Sequence, residues 1–346
     1  MTGSLLRRSL FLALACLALQ AAAQAPSALL YDGADRNDKL AAAAAKEATL
    51  TLYTAFRPQD LPAILGPCEK KTGIKVKAWR SGSNNVTQRV LTEAGGKRFE
   101  VDAIMMPAQE MEAVRREQIL QPVYSPYQKD LMPGALPVDH QSATVLMNVV
   151  VQVYNTRLLK KQDLPRSYQD LLDPKWKGKL GIEAKAEEWY AAVVLAMGEE
   201  KGVRMFREMV AKNGISARLG VSLLNNLVVS GEVPLALTVY IDLPEKGKRE
   251  GKPIDWFGLD PVVAHGFNIA LARRAPHPNA ALLFYDYMLS PETQKLLASL
   301  LYYPASTKAA SQYPGLHLKV VDPVYAVDNA EKWMKSFDDA VIKQAR

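Results

Sequence analysis

Short β-rich runs and segments of helical period alternate along the first third of the chain. The predicted strands are Thr49–Thr54, Ile74–Trp79 and Val101–Met106, and the predicted helices are Leu61–Thr72, Asn84–Gly95 and Ala108–Gln118. This β-α-β order predicts a parallel sheet covered by helices on both faces. Because ligands on such sheets bind beyond the carboxyl ends of the strands, we expect ligand contacts within Thr54–Arg57, Arg80–Asn85 and Met105–Gln109.

The rest of the chain continues this alternation around one long β-rich stretch, Ala143–Asn155, whose length suits a strand that passes between two lobes. Further strands are predicted at Leu180–Glu183, Ile215–Leu219, Pro234–Tyr240, Ile254–Phe257 and Gly266–Leu271, and helices at Glu188–Gly198, Val203–Asn213 and His277–Leu289. Ser290 carries the capping signal of one more helix. The polar segment Leu243–Pro253 is predicted to be a loop, and Val324–Ala345 a final helix that packs across the lobes.

The N-terminus has the order of a secretory signal. Arg7 and Arg8 precede the apolar run Ser9–Leu19, and small alanines follow up to Ala23. Since the run is shorter than the about 20 residues of a membrane-spanning helix, we predict cleavage after Ala23 and export to the periplasm. The alternatives are a buried helix, a twin-arginine signal and a lipid-attachment site at Cys16.

Composition narrows the class of protein. The chain has 346 residues, a net charge of +7 and 49% hydrophobic residues, which is enough for two domains with separate cores. No run of five or six basic residues is present, so nucleic acid is not an expected partner. After cleavage Cys68 is the only cysteine, which excludes an internal disulfide and a cysteine-based metal site.

Three sequence motifs in order carry a family resemblance. They are Thr72–Val76 (TGIKV), Asp173–Gly181 (DPKWKGKLG) and Ala275–Ala281 (APHPNAA), which leads to Leu289–Gln294 (LSPETQ). Together they resemble the extracellular solute-binding proteins that include the bacterial ferric-ion binding proteins. The resemblance implies a type II periplasmic-binding-protein fold of class α/β, in which each lobe is a mostly parallel sheet flanked by helices and the ligand cleft lies between the lobes.

The resemblance also implies a division of the chain and a function. Residues 1–23 are the predicted signal peptide, 24–140 and 262–310 form lobe one, 141–261 form lobe two, and 311–346 form a C-terminal helical segment across the lobes. The implied protein captures a small charged solute by hinged closure and delivers it to an ABC permease in the inner membrane. We expect a monomer that needs no cofactor.

The expected metal ligands of the ferric binders are mostly missing. Matching the first strand places the histidine position of that family on Arg57, and its glutamate position falls on Pro107. The tyrosine pair falls on Tyr240 and Ile241, so that one phenol is missing. We therefore predict no metal bound in that mode, a charged organic solute as ligand, and ferric ion with exogenous anions as the second choice.

The ligand contacts predicted in lobe two are acidic and aromatic side chains. Glu183 or Glu187 is expected to accept hydrogen bonds from an ammonium or hydroxyl group, and Trp189 or Tyr190 to supply a stacking wall. The alternative for the pair Glu187 and Glu188 is that it only complements the dipole of the helix start.

The other candidates are donors and residues at strand ends. Arg57, Arg80 and Arg218 are candidate ligand contacts, because a guanidinium can donate two parallel hydrogen bonds to an acidic group of the solute. Ser83 and Asn84 begin a helix and are either anion-binding or plain caps. The last candidate ligand contacts are predicted because they lie at the end of a strand or beside the cleft. They are Thr54, Ser222, Tyr240, Asp242 and His265.

No catalytic motif accompanies these candidates. The sequence contains no HExxH, no GxSxG, no GxGxxG and no P-loop, and its histidines lack metal-ligand spacing. We therefore expect a binding protein and no catalytic residues. A secreted α/β enzyme and a ligand-loaded accessory subunit of a membrane sensor are the alternatives from other classes.

Overall fold

The computed structural model describes residues 28–309 and 312–345, so the predicted signal peptide lies outside the described residues. The strands are β1 Thr49–Thr54, β2 Lys75–Arg80, β3 Ala103–Pro107, β4 Leu120–Gln121, β5 Ala143–Asn155, β6 Leu180–Glu183, β7 Ser216–Arg218, β8 Leu235–Tyr240, β9 Ile254–Phe257, β10 Val262–Ala272, β11 Tyr303–Pro304 and β12 Leu318–Val320. Within the described ranges no helix has the length and apolarity that a membrane span requires.

The α-helices that flank these strands are α1 Arg36–Glu47, α2 Leu61–Thr72, α3 Ser83–Gly95, α4 Ala108–Arg116, α5 Glu187–Met197, α6 Glu199–Asn213, α7 Val221–Ser230, α8 Asp242–Arg249, α9 Pro278–Leu289, α10 Pro291–Ser299, α11 Pro323–Asp328 and α12 Ala330–Ala340. Local signals set several boundaries. Gly73 ends α2 in the left-handed conformation at φ 73°, and Ser290 accepts a hydrogen bond from the backbone N–H of Thr293 at the start of α10, as its capping signal predicts.

The long strand β5 connects two lobes. The sheet order is β2-β1-β3-β10-β5-β8-β6-β7, in which β1 pairs with β2 and β3 in parallel, and β6 pairs with β7 and β8 in parallel. The first half of β5 pairs with β10 up to Val149, and its second half pairs with β8 from Val150 onward. β5 therefore passes from lobe one to lobe two.

Each lobe has its own apolar core. In lobe one, the buried residues of α2 and α9 pack on the sheet around Leu52 and Phe284. In lobe two, Trp176, Trp189 and Phe206 pack with side chains of α12. The C-terminal segment contacts both lobes, since α11 packs on α4 while α12 packs on α5 and α6.

Two element predictions are wrong. The segment predicted as a polar loop contains α8, whose inner face is buried while its lysines point outward. Gly247 allows the close approach, because a Cβ there would lie 2.9 Å from Ile254 Cγ2. The predicted single final helix is divided into α11 and α12, which meet at Asn329.

Candidate ligand-binding cleft

The lobes enclose a cavity of about 640 Å³. Its walls come from the starts of α3 and α4 in lobe one, from the end of β6 with the starts of α5 and α7 in lobe two, and from the middle of β5 and β10. Cavities of several hundred Å³ are typical of small-molecule sites.

The lobe-one wall is centred on Glu110. Ser83 and Asn84 lie on the first turn of α3, and the Ser83 hydroxyl donates a hydrogen bond to Glu110 Oε1 in the first turn of α4. Burial raises the pKa of Glu110 to about 7; the Ser83 hydrogen bond opposes this shift, and the charge of Glu188 adds to it. Glu110 is therefore a carboxyl group whose charge changes near neutral pH.

The lobe-two wall carries three more carboxyl groups. Glu183 ends β6, and its carboxylate accepts hydrogen bonds from the backbone N–H of Lys185 and, at 2.8 Å, from that of Gly220. Glu183 therefore fixes the loop between β6 and α5. Glu187 and Glu188 occupy the first turn of α5, and burial raises the pKa of Glu187.

Strands β10 and β8 contribute two more polar side chains, His265 and Tyr240. His265 Nδ1 lies 2.6 Å from Glu188 Oε2, which is ion-pair distance, although Nδ1 makes no hydrogen bond of good geometry with any described residue. Burial raises the pKa of Tyr240, and the charges of Glu188 and Glu110 raise it further. The Tyr240 phenol is therefore neutral at physiological pH and can donate a hydrogen bond.

The cavity is acidic as a result. Its lining contains four carboxyl groups and one lysine: Glu110, Glu183, Glu187, Glu188 and Lys185. The positive ends of the surrounding helices offset part of this charge. A solute with a positive group would relieve the repulsion between carboxylates that approach from both lobes.

Seven of the predicted contacts lie together in this cavity: Ser83, Asn84, Glu183, Glu187, Trp189, Tyr240 and His265. They remain our predicted ligand contacts. The indole of Trp189 is almost fully buried and packs edge-on against Tyr168 and Phe206, so it supports the wall more than it offers a stacking surface.

Two of the predicted arginine donors point elsewhere. Arg80 Nε donates to the carbonyl of Phe56 at 3.0 Å, and Arg218 Nη2 pairs with Glu232 at 3.1 Å on the surface of lobe two. Ser222 is exposed within α7, and the helix is capped by Gly220 without a side-chain hydrogen bond. These three predicted contacts lie outside the cavity.

The other predicted contacts outside the cavity have partners within the protein. Arg57 and Asp242 form an ion pair with each other. Thr54 is buried, and its hydroxyl accepts the backbone N–H two residues later at 3.0 Å. Tyr190 is buried in the lobe-two core, where its ring lies 5.0 Å from that of Phe206.

Two glutamates that line the cavity, Glu110 and Glu188, are not among the contacts predicted from the sequence. The strand-end rule reached Gln109 and stopped one residue before Glu110. For Glu188 the sequence pattern indicates one role, which is to complement the dipole of the helix start. Its position beside Glu187 on a helix start at the cleft is the signal that could have identified it.

The same cavity shows few features of a metal site. Among the described residues no group of three or more His, Cys, Asp or Glu side chains is placed to hold a metal ion. Of the positions matched to the ferric binders, Pro107 and Tyr240 line the cavity. Arg57 instead donates a hydrogen bond to the Tyr302 hydroxyl at 3.0 Å.

The fold and cleft define a two-lobed binding protein of type II. The iron-bound HitA structure from Pseudomonas aeruginosa superposes with a TM-score of 0.73 at 22% identity, covering 85% of this chain and 99% of that chain. Residues 104–319 match the family described as bacterial extracellular solute-binding protein. The chain belongs to that family and captures a small solute for an ABC importer.

Relatives that are named for different ligands are similarly distant from this chain. Iron uptake protein A1 of Synechocystis is 23% identical over 74% of this chain and 75% of its own length. A putative 2-aminoethylphosphonate-binding periplasmic protein of Salmonella typhimurium is 23% identical over 79% of this chain and 81% of its own length. The relatives therefore agree on the class of protein and differ in the solute.

Proposed function

We propose that this chain is a periplasmic receptor for a small organic solute that carries a protonated amine. The observation that supports this most directly is the charge of the cavity. Carboxyl groups face it from both lobes, whereas the three arginines predicted to bind an anion lie outside it. An ammonium group between Glu110 of lobe one and Glu188 of lobe two would be held by charge-assisted hydrogen bonds.

The same contact accounts for closure. A ligand shifts a conformational equilibrium only by the difference between its affinities for the two states. In the closed state an ammonium group can contact carboxylates of both lobes, whereas in the open state it contacts those of one lobe only. It therefore binds the closed state more tightly than the open state. Closure of the lobes around the solute would then present a surface for docking on the permease.

The lobe-one wall provides a place for an acidic group of the same solute. Ser83 and Asn84 begin α3, where backbone N–H groups and the helix dipole favour an anion. A zwitterion with an amine at Glu110 and Glu188 and an acidic group at this helix start fits both features. The 2-aminoethylphosphonate named for the Salmonella relative has this pattern of groups.

Ferric ion remains the second candidate because oxygen and nitrogen donors from both lobes converge on the cavity. These donors are Glu110, Glu188, Tyr240 and His265. Phenolate and carboxylate oxygens suit a hard cation. An iron-loaded form would require these side chains to move closer together, together with exogenous anions to complete the coordination.

We further propose that the mature protein is periplasmic, acts as a monomer and releases its solute unchanged. The family match supports the location and the binding role. Mass analysis of the solute after incubation checks that it is released unchanged. Light scattering of the purified protein checks that it is a monomer.

Isothermal titration calorimetry with two phosphonates tests the proposed solute class. We expect 2-aminoethylphosphonate to bind, ethylphosphonate to bind at least tenfold more weakly, and Glu110→Gln to lose most of the difference. Glu232→Gln is the matched control, since Glu232 is exposed and outside the cavity. Equal binding of the two phosphonates, or a coloured complex with ferric citrate alone, would contradict the amine-binding proposal.

A further inference from the structure

A second set of charged side chains joins the lobes outside the cavity. Arg57 follows β1 in lobe one and Asp242 begins α8 in lobe two, and Arg57 Nη2 forms an ion pair with Asp242 Oδ2. The two side chains are only 19% and 8% exposed. This contact involves no residue that lines the cavity.

Lobe one holds the Arg57 side chain in position. Its Nε lies 3.1 Å from Asp60 Oδ2 and donates to the Tyr302 hydroxyl at 3.0 Å. The hydroxyl in turn donates to Asp60 Oδ2 at 2.6 Å, and the guanidinium carbon lies 4.7 Å from the centre of the Tyr302 ring. Because these partners belong to lobe one, they hold the guanidinium from the lobe-one side of the contact.

Asp242 is the matching group in lobe two. It lies in the first turn of α8, where the helix dipole favours a negative charge. Burial raises the pKa of Asp242 to about 6, while the neighbouring Arg57 acts in the opposite direction. The carboxyl group is therefore mostly ionised at neutral pH and can pair with the guanidinium.

Two costs oppose the attraction between Arg57 and Asp242. Arg57 Nη1 is buried and has no hydrogen-bond partner in the part of the chain that the structure describes. Removing two charges from water also opposes a buried ion pair. Separation of the lobes would hydrate these groups, so the contact can break and re-form in a binding cycle.

We propose that Arg57 and Asp242 form a latch that favours the closed arrangement of the lobes in the absence of solute. The latch needs no ligand atom, because both partners belong to the chain and one is already oriented by Asp60 and Tyr302. Solute binding then adds to a closure that the ion pair already favours, whichever solute the cavity accepts.

Small-angle X-ray scattering of the solute-free protein tests the latch. We expect the wild-type curve to match the structure with the lobes together, and Asp242→Asn to shift to a larger radius of gyration. Glu232→Gln removes an exposed ion pair within lobe two and should leave the curve unchanged. A wild-type curve that already matches separated lobes would overturn the proposal.

A second variant covers the case in which Asp242→Asn does not fold. Tyr302→Phe keeps the ring under Arg57 but removes the hydroxyl that orients it, so we expect a smaller shift in the same direction. Circular dichroism establishes that each variant is folded. Folded Asp242→Asn or Tyr302→Phe protein that scatters like the wild type would refute the latch.

Discussion

Glu110 allows the proposed cation site to be tested by pH. In the solute-free protein burial places the pKa of Glu110 at about 7, so this carboxyl group is mostly charged above that pH and mostly neutral below it. An ammonium group binds the carboxylate and gains little from the neutral acid. We therefore expect the affinity for an amine-bearing solute to fall as the pH decreases.

The magnitude follows from the titration of one group. With a pKa of about 7, the ionised fraction falls from roughly 90% at about pH 8 to roughly 1% at about pH 5. If the bound solute keeps Glu110 ionised over this range, the dissociation constant rises roughly 100-fold, or ~2.7 kcal/mol. Truncation of one partner of a buried charge pair costs about 2 to 5 kcal/mol, so Glu110→Gln should weaken binding by a comparable factor at neutral pH.

The stability of the solute-free protein should change in the opposite sense. Because burial raises the folded-state pKa of Glu110 from its ordinary value of 4.5 to about 7, the folded chain binds more protons than the unfolded chain between these values. The contribution of this group to the free energy of unfolding is therefore present below about pH 4.5 and is lost as the pH rises through about 7.

Calorimetric titration of 2-aminoethylphosphonate between about pH 5 and pH 8 is the assay. Glu110→Gln removes one titrating group and leaves the solute and the other ionisable side chains of the cavity in place, so the difference between the two proteins reports the loss of the Glu110 charge. Glu200→Gln is a control for surface charge, since its side chain is 94% exposed. The same pH dependence in wild type and Glu110→Gln would refute the role of Glu110.

Three further predictions concern stability and reactivity. Gly202→Ala should lower the free energy of unfolding by about 1 to 3 kcal/mol, since its Cβ would lie 2.7 Å from Val194 Cα. Gly95→Ala has open space at the Cβ and should not lower it. Denaturant unfolding of both variants checks this. Trp176→Ala should cost about 3 to 5 kcal/mol, because Trp176 is only 1% exposed, and an unchanged midpoint would contradict this packing. Burial raises the pKa of the Cys68 thiol to about 12, so a thiol reagent should label Cys68 only in denaturant; rapid labelling of the native protein would show that it is accessible.

Much of the fold was predictable because its signals are local. The limits of α2, β5, β6 and β9 coincide with the segments read from hydrophobic period and turn residues. The α8 helix is not predicted by the sequence pattern because its buried residues are Asp242, Pro244 and Gly247, which carry little hydrophobic signal. The division of the last helix at Asn329 likewise depends on packing against two different lobes.

The sequence by itself determined the class of fold, the family and the strand ends that surround the cleft. Only the tertiary structure decided which polar side chains share the cavity. Arg57 and Asp242 were equally plausible ligand contacts in the sequence, yet they pair with each other where the lobes meet. Glu110 and Glu188 face the cavity from opposite lobes. The reason is physical: periodicity is a property of neighbouring residues, whereas the partner of a charged side chain depends on contacts between segments far apart in the chain.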